Sequence, residues 1–144
     1  MERPSITPLL FYRDPKAALA FLEAAFGFET TLMVDDGKGG VIHSETCFGN
    51  GMVMVSGPPF DVWASPADLE GRRTGSVHIQ LKDGLDAHCA RARAAGATID
   101  REPADQAYGD RSYVCRDPEG HSWSSDRRSR ICRSKRSPRR RATR

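Results

Sequence analysis

No stretch of this 144-residue sequence approaches the roughly 18 uninterrupted apolar residues that a membrane span needs. Its first residues, Met1-Glu2-Arg3-Pro4, lack the basic-then-apolar pattern of a secretory leader, so the expected address is cytoplasmic. Cysteine is scarce as well. Cys47, Cys89, Cys115 and Cys132 show no C-x-x-C spacing, which argues against a zinc knuckle or a disulfide framework and leaves buried or idle thiols. Acidic residues are missing altogether from residues 127–144, which carry ten of the 22 Lys and Arg. The net charge of +3 therefore hides a division: 12 basic against 19 acidic residues remain in 1–126, a balance of −7. The basic run has too little apolar content to build a core and is expected to be a disordered tail. Its ten cations would bind nucleic acid or any polyanion only non-specifically and with steep salt dependence.

What is present is enough for one ordinary domain. Ile6 to Tyr12 reads as a strand, with Pro8 marking an edge or a bulge. Asp14 followed by Pro15 is a helix start, and Leu19, Leu22 and Phe26 recur along one helical stripe that Gly27 ends. Phe28 to Val34 is a second strand; Val41 to Phe48 and Met52 to Val55 form a hairpin across Gly49-Asn50-Gly51. Gly57 to Thr74 has no period and reads as a connector with one helical turn near Pro66-Ala67-Asp68-Leu69. The pattern then recurs: a strand over Ser76–Leu81, Asp83 as a cap, a helix over Gly84–Ala95 stopped by Gly96, a strand from Thr98 to Arg101, and a loop over Glu102–Gly109. A closing hairpin turns at Asp117-Pro118-Glu119-Gly120.

A shift of 69 positions superposes Asp14 on Asp83, Gly27 on Gly96, Gly40 on Gly109 and Gly51 on Gly120. One offset thus aligns a helix cap, a helix stop and two turns. The expected fold is α+β: two tandem β-α-β-β-β modules, residues 5–57 and 75–126 with a connector over 58–74. They form a cup-shaped mixed sheet with helices on the outside.

Phe11-Tyr12-Arg13-Asp14 leading into Ala20-Phe21-Leu22-Glu23-Ala24-Ala25-Phe26-Gly27-Phe28 resembles the vicinal-oxygen-chelate superfamily, the glyoxalase, bleomycin-resistance and extradiol-dioxygenase group. So do Ala94-Ala95-Gly96-Ala97, Tyr108-Gly109-Asp110-Arg111 and Asp117-Pro118-Glu119-Gly120-His121-Ser122-Trp123 in the second module. The resemblance runs from Ile6 to Ser124 and then stops, so the Arg/Ser run after it reads as adventitious to the fold. It implies a cup completed by dimerisation and, in metalloenzyme members, a divalent metal held from the first and last strand of each module. Carried onto this chain, those four positions fall on Leu9, Val55, His78 and Ser124. Leucine and valine bind no metal and serine is a poor neutral donor, which departs from the metalloenzyme pattern.

Candidate ligand-binding residues follow, each with a bland counterpart. His78 is a base or residual ligand in the cup, or a histidine satisfied within its strand. His43 and Glu45, two apart on one strand, project to one face as an imidazole–carboxylate pair or as part of a solvated face. Tyr108 and Arg111 gate the cup and meet an anion, or Asp110 and Arg111 fasten the loop to the neighbouring module. Trp123, Phe11, Trp63 and Met54 are able to line an apolar pocket or to pack in the core; if Ser124 faces the cup, as the resemblance implies, Trp123 faces the helices. His121 is expected to be exposed or packed on Arg116. The combined expectation is a cytoplasmic homodimer that binds a small organic molecule with no tightly held cofactor, no membrane and no specific nucleic-acid partner. The alternative is a lyase, isomerase or dioxygenase using divalent zinc, nickel, iron or manganese, with His78 and Glu45 as its core pair. A third reading is polyanion binding through the tail.

Overall fold

The computed structural model describes residues 3–128. The tail expected at 127–144 lies outside them from residue 129 onward. Arg127 is the last residue of the final strand. The elements run β1 (Leu9–Phe11), α1 (Pro15–Phe26), β2 (Glu29–Asp35), β3 (Val41–Phe48) and β4 (Gly51–Ser56), then a turn of 3-10 helix over Pro66–Leu69 in the connector. They continue β5 (Ser76–Leu81), α2 (Leu85–Ala94), β6 (Thr98–Asp105), β7 (Arg111–Arg116) and β8 (Ser122–Arg127).

Each module folds its strands in the same spatial order, β1-β4-β3-β2 and β5-β8-β7-β6. In each, the first strand runs parallel to the last and the other pairs are antiparallel. The expected α+β architecture of two β-α-β-β-β units is the one observed. The sheets do not join strand to strand, however; they stay two four-stranded sheets. Side chains join the modules instead: α1 packs on α2, and Phe26 at the end of α1 meets Trp123 of β8 at 5.2 Å between ring centroids. One core results, with Leu22, Val55, Ala92, Cys115 and Trp123 fully buried.

The first helix forms for the reasons its sequence announces. Asp14 accepts a hydrogen bond from the Ala17 amide at 3.1 Å, and Pro15 occupies the first turn, where no amide partner is missed. Gly27 ends the helix with φ +78°, a left-handed conformation costly for a side chain with a Cβ. The second helix differs. Gly84, with φ +71°, stands at its N-cap and makes no side-chain cap, so Asp83 does not cap it. Arg91 of α2 instead donates to the carbonyls of Ala24 and Glu23 at 2.7 and 3.0 Å, satisfying the open end of α1.

Two further expectations give way. The segment expected as a loop after Arg101 continues as strand to Asp105, because β7 supplies a hydrogen-bonding partner along it despite two breaks of register. The offset of 69 also fails in the last strands. Glu45 lies opposite Met54, while Val114, its counterpart at 69, lies opposite Ser124. Four residues separate the paired Cys47 and Met52, but five separate their counterparts Arg116 and Ser122, so the offset becomes 70. The counterpart of Ser124 is therefore Met54. Val55, the position carried over from the sequence, points into the core and is fully buried.

The Asp117–His121 turn is an inter-module clasp. Buried Asp117 accepts from the Tyr12 hydroxyl at 2.5 Å, from Trp123 Nε1 at 3.1 Å, and from the amides of Glu119 and His121. Burial, and then the Asp117 carboxylate, push the Tyr12 phenol well above its ordinary pKa and keep it a donor. Glu119 accepts from the amides of Arg13 and Asp14 and from the Ser65 hydroxyl. His121 is neither free nor stacked on Arg116. Its Nε2 lies 2.8 Å from the Phe11 carbonyl and its ring rests on Tyr12 at 4.5 Å.

Candidate functional site

Alternation along the strands sorts each sheet into a covered face and an open one. In the second module Ile79 and Leu81 of β5 point inward with Trp123 and Ser125 of β8. Ser76, His78 and Gln80 point outward, each opposite Ser122, Ser124 or Asp126. His78 and Ser124 are directly paired, and the imidazole Nδ1 shares a hydrogen with Ser124 Oγ across 2.7 Å. Its Nε2 lies 3.7 Å from Asp126 Oδ2, close enough for charge attraction and too long for a direct hydrogen bond. Gln80 Nε2 donates to the Asp126 carbonyl at 3.1 Å and steadies that end of the strand pair. An imidazole between a hydroxyl and a carboxylate, half open to solvent, gives this open face a polar corner able to hydrogen-bond.

The open face of the first module carries the His43–Glu45 pair. His43 Nε2 is 3.3 Å from Glu45 Oε1, and Arg3 forms an ion pair with the same oxygen. Glu45 is buried, and across the sheet it lies opposite Met54, which in turn lies opposite Leu9. Within one chain His78 and Glu45 thus stand on different sheets.

Tyr108 and Arg111 lie elsewhere. Tyr108 is exposed on the turn between β6 and β7. Arg111 makes a two-pronged contact with Asp86, at 3.1 and 2.9 Å, and reaches Asp105 at 3.2 Å. It ties β7 to the first turn of α2 and to β6 within its own module, and Asp110 is not its partner. Asp86 is held below the ordinary carboxylate range by that guanidinium.

Between the modules a groove of about 600 Å³ is bounded by β1, β5, the start of β8 and the connector. Phe11 and Trp63, with ring centroids 4.9 Å apart, form its aromatic wall, and Arg72 and Arg73 stand at its rim. It also reaches Ser76 and Ser122, two residues along the strands from His78 and Ser124 and on the same face, so the groove and the open face of the second module are continuous. Three of the residues missed by the sequence reading are Asp126, Arg72 and Arg73. Asp126 follows Ser124 by two in a strand and was legible from alternation alone. The arginines sit in a connector with no period to read.

A family model described as the glyoxalase/bleomycin resistance protein/dioxygenase superfamily matches residues 5–124. The Mycobacterium bovis protein Mb0911c is 31% identical over 125 residues, covering 84% of this chain and 81% of its own length. The crystal structure of TioX from Micromonospora sp. ML1 superposes with a TM-score of 0.66 at 32% identity, covering 86% of this chain and 95% of that one. The fosfomycin resistance protein FosX from Listeria monocytogenes shares the fold at TM-score 0.65 and 16% identity, covering 88% of this chain and 94% of its own.

Proposed function

The chain belongs to the glyoxalase/bleomycin resistance protein/dioxygenase superfamily, and on that premise we propose that it is a small-molecule-binding protein with no tightly held metal. One observation carries this reading. At the four positions where the family's metalloenzymes place their ligands, Leu9, Met54 and Ser124 offer a hydrocarbon, a thioether and a neutral hydroxyl, and only His78 offers a nitrogen donor. Among the described residues no three His, Cys, Asp or Glu side chains converge. A divalent ion does not fit that donor set within one chain. The aromatic groove beside His78 supports an organic ligand instead, since its size is that of ordinary ligand sites.

The binding domain spans residues 1–126 and works in the cytoplasm as a homodimer. Support for the dimer comes from the edge strand β2, where Leu32 and Val34 are both exposed on one face, an apolar strip that a second copy would cover. The test is the metal content of full-length protein purified without an affinity tag, wild type and His78→Ala, after incubation with zinc, nickel, iron or manganese. Neither protein is expected to retain metal. Near-stoichiometric metal that disappears in His78→Ala would overturn the reading in favour of a metal-dependent lyase, isomerase or dioxygenase.

A further inference from the structure

Most arginines of the folded body are already engaged. Arg3, Arg13, Arg93, Arg111 and Arg116 form ion pairs, and Arg91 caps α1. Arg72 and Arg73 are different. Among the described residues neither has an acidic partner, and the one side-chain hydrogen bond of the pair runs from Arg73 to the Gly71 carbonyl at 2.9 Å. Both line the groove, and no acidic side chain lines it with them. The hydroxyls of Ser76 and Ser122, also on its wall, have no hydrogen-bond partner among the described residues. The groove thus joins an aromatic wall to two unpaired guanidinium groups.

We propose that this groove selects a flat aromatic carboxylic acid, its ring against Trp63 and Phe11 and its carboxylate between Arg72 and Arg73. The inference rests on the small-molecule-binding reading and adds the class of ligand. Half-exposed Trp63 presents a free indole face beside Phe11, and stacking there covers apolar surface that the free protein leaves in water. A guanidinium recognises a carboxylate through paired, charge-assisted hydrogen bonds, which a neutral or cationic analogue cannot accept. An acid in the lining would have neutralised that preference, and among the described residues there is none.

Cinnamate, cinnamyl alcohol and cinnamylamine share one ring and differ in charge, so they separate the apolar contribution from the ionic one. Each is titrated into the full chain while the two indole N–H resonances are followed in proton–nitrogen correlation spectra. Cinnamate is expected to shift the Trp63 signal and leave fully buried Trp123 in place, and to bind about tenfold or more tightly than the alcohol. The exposed double substitution Arg72→Gln/Arg73→Gln is expected to remove that advantage while the affinity for the alcohol stays unchanged. Equal affinity for all three probes would overturn the ligand class yet leave a small-molecule site. A Trp63 signal that none of them moves at millimolar concentration would overturn the inference outright. The metal measurement on His78→Ala is independent of both results.

Discussion

The two modules share a strand order, yet they hold themselves together by different means. In the first, the helix carries the apolar mass: Leu19, Phe21, Leu22, Ala25 and Phe26 are buried, and a side-chain cap starts the helix. In the second, α2 buries only Leu85, Cys89 and Ala92, starts without a side-chain cap, and is pinned by Arg91 and by Arg111 on Asp86. The counterpart of Phe26 is Ala95, that of Leu19 is His88, and that of Phe48 is Asp117, each at an offset of 69. A duplicated backbone therefore tolerates a trade of hydrophobic packing for polar fastening in one helix, provided that the other helix fills the space between them.

The sharpest break in this comparison is Phe26→Ala, which empties space between the modules and is expected to cost about 3–5 kcal/mol. Ala95→Gly at the matching position, just past the end of α2, is expected to cost no more than about 0.5 kcal/mol. Urea denaturation midpoints measure both, and equal losses would refute the asymmetry. Next comes Asp117→Ala, which leaves the buried Tyr12 hydroxyl and Trp123 indole N–H without their acceptor. A loss of about 2–4 kcal/mol is expected, with Asp117→Asn recovering part of it by the same measurement.

His88 gives a test by pH. Its Nδ1 is 2.5 Å from the Tyr113 hydroxyl, its ring stacks on Phe26, and its buried Nε2 meets the distance and angle limits of a hydrogen bond with no atom among the described residues. Burial pushes its pKa below the ordinary histidine value, opposed in part by the Phe26 backbone and aided least by the charge of Arg91. The unfolded chain therefore takes up the proton first. Stability from this group is complete above about pH 6.5 and is lost as pH falls from there toward the lowered folded value. His88→Leu, which gives the second helix the residue type of the first, is expected to flatten that part of the thermal stability profile; an unchanged slope would remove His88 as its source. The smallest effect concerns the caps. Asp14→Ala is expected to cost about 1 kcal/mol, whereas Asp83→Ala is expected to change stability by no more than about 0.5 kcal/mol in the same denaturation assay.

These contrasts explain how much could be read in advance. Asp14, Pro15, the Leu19–Leu22–Phe26 stripe and Gly27 act within a few residues of one another, so α1 was fully legible. So was the turn at Pro66. The extension of β6 to Asp105 was not, because a polar segment containing Pro103 becomes strand only when β7 lies beside it. Asp83 resembled Asp14 in sequence, yet the backbone there places Gly84 at the cap. The one-residue difference between the hairpin turns displaced Val55 from the face where Met54 stands. For the site, the family resemblance put His78 and Ser124 at positions of the cup without pairing them, and alternation placed His43 with Glu45. The groove needed the connector folded against β1 and β5, which no local pattern announces.

The clasp also has a consequence for the order in which the chain acquires its structure. Tyr12 and Phe11 find their partners in Asp117 and His121, 105 and 110 residues later. During synthesis the first module can form its helix and its hairpin early, but the strand that begins it gains these partners only after nearly all of the body has been made. Contacts of such sequence separation slow folding, and until they close the apolar edge of the nascent module is open to wrong partners. The last hairpin to be synthesised is thus the step that commits the first strand to its place.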